Sequence, residues 1–376
     1  MNKSLIGRSL CALVLITCAV AALRCVPAHA APPRARTLTP IEALSAGTFP
    51  RVYVVGTTGC LGPSCLRLVS TTIGGHGDTL AALPPLERSR YGLGGTTLQS
   101  LSFANGGQGY ALVGPPSSMS LYVTHDAATT WQKVSAMPGL TFERITVTDR
   151  VVYATMAKCA GADEHCVDVT IAKSALWPIH WTALELPNSP NDALHAGDFA
   201  VSANNTTLWL SRVDNNAEVI WRSTNEGATF HETTEPRLVS INGCSFEIVE
   251  PNYAWAQCPT GMLVSFYYSH DAGAQWTSVP QRPYAGTGGG FFAPAGNSVA
   301  VIDYGQSAHN VYRVDMNDDA ATDVGELNCD ATNTPVFAAG GSGLVVCTTE
   351  AGSTSSSSLY STSDEGALWH RARLQT

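Results

Sequence analysis

Apolar residues along this chain fall in short runs closed by Gly, Pro, Asn or Ser, and the runs come in fours. Within residues 98–134 they occupy 98–104, 110–113, 121–124 and 131–134, with Gly-Gly and Gly-Pro-Pro among the separators. Runs this short, continuous or alternating with polar residues, predict β-strands rather than helices. The same order returns at 244–249, 253–257, 263–268 and 276–279. No long stretch has a 3.6-residue period, so the pattern predicts an all-β chain built on a repeated four-strand unit.

An eight-residue turn joins the third and fourth strands of that unit and occurs four times, at 124–131 (THDAATTW), 223–230 (STNEGATF), 269–276 (SHDAGAQW) and 362–369 (TSDEGALW). Each copy opens on Ser or Thr (Thr124, Ser223, Ser269, Thr362) and has Asp or Asn two residues on (Asp126, Asn225, Asp271, Asp364). Ala128, Gly227, Gly273 or Gly366 stands fifth, and Trp131, Phe230, Trp276 or Trp369 stands eighth. The short polar side chain accepts backbone N–H groups just ahead of it, which holds a tight turn. The fifth residue suits a positive φ, and the aromatic opens the next strand with a large apolar area. These residues therefore read as structural, not catalytic.

The turns start at 124, 223, 269 and 362, and the two long gaps read as doubled repeats holding decayed copies at 174–181 (SALWPIHW) and 317–324 (NDDAATDV). A further copy begins near Ser70. Seven units of four strands, one about every 48 residues, predict a seven-bladed β-propeller of four-stranded antiparallel blades. The turn resembles the Asp-box of the bacterial neuraminidase repeat, which is found in β-propellers.

Residues 1–30 read as a secretory signal: Lys3 and Arg8, an apolar stretch over 10–23, then Ala28-His29-Ala30. Residues 31–39 form a lead-in and 40–376 the propeller. Beyond the signal no membrane span is expected. Removing the signal discards three of the eleven cysteines, and the remaining eight suit four disulfides in an oxidising compartment. Cys60 and Cys65 flank the loop between the second and third strands of the first blade, and Cys159 and Cys166 do so in the third. Cys244 and Cys258 join the first two strands of the fifth, and Cys329 and Cys347 tie the start of the seventh. Zinc-ligand spacing is absent.

Net charge is −9, and losing Lys3, Arg8 and Arg24 with the signal leaves about −12. An acidic chain with few Lys and Arg excludes nucleic acid and anionic membrane as expected partners. The run 353–358 (STSSSS) reads as an exposed loop. No Gly-x-Ser-x-Gly elbow, His-Glu-x-x-His or phosphate-cradling loop is present. Asp315, Asn317, Asp319, Asp323 and Glu326 have the spacing of a calcium loop, but Ala320 replaces its bend glycine and the decayed sixth turn accounts for the same residues. No metal and no cofactor are expected.

The Asp-box resemblance implies comparison with sialidases, which need three arginines on a carboxylate, a tyrosine nucleophile paired with a glutamate, an acidic proton donor, and an Arg-Ile-Pro motif before the first box. Here the nearest segment is Phe49-Pro50-Arg51-Val52, and sialidases have six blades where the spacing gives seven, so sialidase activity is not expected. Seven-bladed proteins with such boxes include photosystem II assembly factors and the propellers of some xyloglucan hydrolases. A hydrolase would need two opposed carboxylates, and the loops joining successive blades offer Glu87, Glu143, Asp192, Asp198 and Glu235. The same loops carry Arg88, Arg90, Tyr91, Arg144, His195, Arg237, Arg282 and Tyr284, which a propeller would gather at one channel mouth as a cationic, aromatic-lined site. The expectation is an exported, monomeric, non-catalytic propeller that binds a protein or carbohydrate partner there, with a secreted glycoside hydrolase or lyase as the alternative.

Overall fold

The computed structural model describes residues 39–45, 51–57, 66–72, 79–86, 98–104, 107–115, 118–159, 166–186, 199–204, 206–214, 217–239, 244–250, 252–259, 264–278, 290–295, 298–304, 309–327, 331–332, 335–337, 341–351 and 354–372. The signal and the lead-in up to residue 38 therefore lie outside the described residues, and Thr39, expected in the lead-in, opens the first strand Thr39–Ser45. The strands form seven antiparallel sheets, six of them four-stranded meanders of consecutive strands. In the seventh, the first strand is split into Ala331–Thr332 and Val336–Phe337, and both halves pair with Gly343–Ala351. The protein is a seven-bladed β-propeller.

Strand character follows burial. Val151–Cys159, the second strand of blade 3, is covered on both sides by neighbouring blades and reads as a nearly unbroken apolar run. The outermost strands Thr182–Ala183 and Thr277–Ser278 are short and exposed, which limits the unpaired edge that blades 3 and 5 present. Residues 354–358 of the serine-rich run differ from expectation, because Thr354–Thr362 is a strand paired along its whole length with Gly343–Ala351. Its serines pair by hydroxyl: Thr348 with Ser357 at 3.0 Å and Thr349 with Ser356 at 2.9 Å. Cross-strand Ser–Thr bonding replaces the apolar pattern by which strands are usually recognised.

The core is seven apolar clusters among the described residues, one in each seam between adjacent blades. The last seam closes the ring, with Val52, Val54 and Val69 of blade 1 packed on Leu344, Val346 and Leu359 of blade 7. Among the described residues every blade is a single segment with no strand exchanged between first and last, and apolar burial joins these two blades. The inner strands touch in ring order, from Thr39–Ser45 through Leu98–Phe103 and onward to Val336–Phe337, which meets Thr39–Ser45 again.

The four eight-residue turns share one geometry. The opening hydroxyl donates to the Asp or Asn oxygen, at 2.7 Å in Thr124–Asp126 and 2.8 Å in Ser223–Asn225, and it accepts the N–H of the fifth residue. The Asp or Asn oxygen also accepts an N–H four residues on, from Thr130, Thr229, Gln275 and Leu368. Bonds from the Thr130 side chain and N–H hold the Asp126 carboxyl far below the usual carboxylate range. Both the fourth and fifth residues have positive φ, for instance Glu226 at 56° and Gly227 at 83°. In all four turns the fourth N–H donates to a carbonyl of the turn between the first two strands of its own blade, at Gly107, Thr206, Asn252 and Gly341. This places both sets of turns on one face, here called the turn face.

These turns also link blades. The second residue reaches the following blade, where His125 lies 4.2 Å from the Trp177 ring and His270 Nε2 meets the Asp319 carboxylate at 2.9 Å. The fourth reaches the preceding one, where Glu226 meets Lys173 and Glu365 meets Arg313 and Ser298. The eighth, the aromatic, lies in the seam with the preceding blade.

The two decayed copies differ from this. In blade 6 the turn starts at Asp315, two residues earlier than the spacing predicts, and only Asp319 has positive φ. Asp315 accepts the N–H and side-chain amide of Asn317, Asp318 accepts Ala320 N–H, and Asp319 bonds His270 and Tyr253. Asp315 and Asp318 are thus spent on bonds within the turn, and Asp319 on a link to blade 5. In blade 3 Ser174 accepts His180 N–H across a turn with a cis Trp177–Pro178 bond, and Trp181 still donates from its indole to the Ser135 carbonyl of the preceding blade.

Candidate functional site

The face opposite the turns is where each first strand begins, each second strand ends and one blade passes to the next. Among the described residues two disulfides with both ends placed fasten it. Cys159–Cys166 closes the hairpin between the second and third strands of blade 3, and Cys244–Cys258 ties the start of the first strand of blade 5 to the end of its second. Cys347 is disulfide-bonded as well, while its expected partner Cys329 and the pair Cys60 and Cys65 lie outside the described residues.

On this loop face, blade 3 presents a carboxylate in an unusual setting. Arg144 pairs with Thr155 and Phe142 with Met156, which leaves Glu143 as the extra residue of a β-bulge in the inner strand Thr141–Val147. Bulges re-aim a side chain out of the ladder. Gln99 in blade 2 and Ile41 in blade 1 occupy the matching skipped position of their inner strands, and Gln99 reaches the end of its second strand, donating to the Gly114 carbonyl at 3.2 Å. Glu143 makes the same reach, with Oε1 3.3 Å from Cys159 Sγ. Burial raises the Glu143 carboxyl, and the Arg144 guanidinium partly offsets this.

A carboxylate against a disulfide sulfur opposes both an incoming thiolate and release of a cysteine thiolate. Glu143→Gln is expected to speed reduction of Cys159–Cys166 by dithiothreitol several-fold at pH 8, measured by alkylation and peptide mapping. An unchanged rate would remove Glu143 as the guard of this bridge.

A second inner-strand carboxylate, Glu247 in Ser245–Glu250 of blade 5, had no signal in the sequence. It stands between Phe246 and Ile248, which turn into the seam with blade 4. Burial pushes its carboxyl from the ordinary 4.5 up to about 7. The unfolded chain ionises this group near 4.5 while the folded protein keeps its proton to about 7. Its contribution to stability is thus whole below the unfolded value and lost as pH rises through the folded one. Glu247→Gln should melt higher than the parent chain at pH 8 and equal it near pH 4.5; a parent melting temperature that stays level between these values would contradict the assignment.

Of the other predicted loop residues, Arg144 is exposed on the lip of blade 3. Glu235 and Arg237 differ from expectation, lying in the outer strand His231–Val239 of blade 4 rather than in the loop that follows it. Arg88, Arg90, Tyr91, His195, Arg282 and Tyr284, with Glu87, Asp192 and Asp198, fall outside the described residues. The structure therefore brings together Glu143, Arg144 and the Cys159–Cys166 bridge. Among the described residues no helix is long and apolar enough to cross a membrane.

No family model and no curated protein matches this chain. Solved structures do. A prolyl endopeptidase is 12% identical over 91% of this chain and 50% of its own, with a TM-score of 0.61. The propeller domain of the Trilobed protease from Pyrococcus furiosus, described as having an open velcro topology, is 9% identical over 91% and 96%, with a TM-score of 0.53. A xyloglucanase from Xanthomonas campestris covers 88% of this chain at 13% identity, with a TM-score of 0.36. The chain spans about half the length of the prolyl endopeptidase it matches. At these identities the likeness defines the class, a seven-bladed propeller, and goes no further.

Proposed function

We propose that this chain is an exported, non-catalytic propeller of the Asp-box type that binds a protein or glycan partner through its loop face. The observation that carries the reading is an asymmetry between the two faces. Hydrogen-bonded turns of one repeated geometry hold the turn face, whereas disulfides fasten the loop face in blades 3 and 5. Covalent fastening of these loops keeps a binding surface pre-formed and lowers the ordering cost of association. Arg144 and Glu143 stand on that surface beside one of the bridges. A signal over residues 1–30 agrees with the disulfides, which persist in oxidising compartments, and the chain acts as a monomer.

The second reading, a secreted glycoside hydrolase or lyase, is favoured by one feature. Glu247 keeps its proton to about 7 and is suited to donate it to a leaving group. A glycan and polysaccharide array of the purified protein, read for bound ligand and for released sugar, separates the two. Binding without release supports the propeller as a lectin-like module. Release that disappears in Glu247→Gln replaces that reading with the hydrolase. Silence on both counts sets glycans aside and directs the search to a protein partner by cross-linking on native cells.

A further inference from the structure

The seam between blades 4 and 5 holds a cleft on the turn face, away from the loop face and independent of the reading given to it. Trp209, Arg222 and His231 lie side by side on three neighbouring strands, Trp209 opposite Arg222 and Arg222 opposite His231. Strand alternation fixes which way this row faces. Ile220 packs in the seam with blade 5, whereas Trp221 packs toward blade 3, so Arg222 shares the blade 5 side with Ile220. Across the gap the turn of blade 5 supplies Ala272 and Ala274, and Thr224 and Thr233 complete a cleft of about 200 Å³.

The wall is mostly apolar, and its polar groups are unevenly satisfied. Thr233 Oγ1 already donates to the Ile220 carbonyl at 3.2 Å. Arg222 Nε is buried with no hydrogen-bond partner, and no carboxylate forms an ion pair with Arg222 among the described residues. Asp271 acts on it through space only, and its Oδ1 is engaged by the Ser269 hydroxyl and Gln275 N–H. Burial lowers the Arg222 guanidinium from its ordinary value, so the site holds a cation short of its solvation. A partly desolvated guanidinium with no ion pair is costly, and an anionic acceptor placed in the cleft would offset that cost.

We infer that this cleft binds a small monocarboxylate with a short apolar body, the carboxylate pairing with the Arg222 guanidinium and the body lying on Ala272 and Ala274. Single charge follows from the surroundings. Asp271 stands near Arg222, and Glu232 also borders the cleft, so a dianion such as phosphate meets two like charges. A planar carboxylate also matches the guanidinium fork. The apolar wall selects a chain over acetate alone.

The test is isothermal titration of the full chain with hexanoate, butyrate, hexylamine and inorganic phosphate. Hexanoate is expected to bind, butyrate about tenfold more weakly for two fewer buried methylenes, and hexylamine and phosphate to give no heat. Arg222→Gln should weaken hexanoate at least tenfold. Ala274→Leu, at an exposed turn position, should do the same by filling the floor while leaving Arg222 in place, so the outcome stands even if the arginine variant fails to fold. Hexanoate binding no better than hexylamine or phosphate, or wild-type affinity in Ala274→Leu, overturns the assignment.

Discussion

Trp276→Ala is expected to lower the stability of the propeller by about 3–5 kcal/mol, the range for truncating a buried large aromatic. Trp276 is only 5% exposed and lies edge-on to Trp209 at 5.5 Å and near Phe246 at 5.8 Å, in a seam lined by Ala254, Ala256 and Ile248. Trp209 belongs to blade 4 and Phe246 to the inner strand of blade 5, so this one ring spans the seam. Two rigid sheets cannot close over the space it would leave, and the cavity therefore adds to the lost transfer energy. The sequence pattern treats Trp131 as equivalent, but that ring is half-buried and its indole donates to the Ala82 carbonyl at 2.8 Å near the surface. Trp131→Ala should cost clearly less, about 1–3 kcal/mol. Urea unfolding followed by far-UV circular dichroism measures both. Equal losses, or a loss under about 1 kcal/mol at Trp276, would contradict the seam as the main store of stability.

What could be read from the sequence was what is local. Strand runs, the four turns and their spacing depend on neighbours within a few residues, and they placed all seven blades; in blade 2 the strands Leu98–Phe103, Gly109–Val113, Ser120–Thr124 and Gln132–Val134 lie within a residue of the predicted bounds. Even the turns were only partly legible. A positive φ at the fifth residue follows from glycine in three of the four turns, yet the fourth, filled by Ala127, Glu226, Ala272 and Glu365, is as unusual and carries no glycine to announce it. In blade 6 the letters of the decayed copy pointed two residues late, because similarity of Asp-Ala-Ala-Thr ignores where the strand ends. Ring closure had no local mark, since it joins residues near 52–69 to residues near 344–359 by valine and leucine contacts like those of any other seam.

The candidate site was less legible still, for a related reason. The displacement of Glu143 toward Cys159 depends on a register skip against the second strand, and an alternating pattern cannot display one skipped pair. Glu247 is raised by burial alone, which is a property of the walls around it rather than of its own segment. Arg222 looks like an ordinary exposed strand residue until Trp209 and the turn of blade 5 enclose it.

Removing the Cys244–Cys258 bridge by Cys244→Ala with Cys258→Ala is expected to cost about 3 kcal/mol from chain entropy alone, because a separation of 14 residues closes a loop of moderate length. The true loss should be larger. Both cysteines are buried, 3% and 0% exposed, within the same apolar seam as Trp276, so alanine also removes packed sulfur there. The bridge in blade 3 has a separation of 7 and a half-buried Cys159, and its removal should cost about 2–3 kcal/mol. Blades 3 and 5 are separated by blade 4 and share no cluster, so the two losses should add within about 0.5 kcal/mol in the quadruple variant. Additivity would show that each bridge stiffens only its own part of the loop face. A combined loss much greater than the sum would instead mean that the loops of blades 3 and 5 hold each other in place across blade 4, and the loop face would then act as one unit when a partner docks on it.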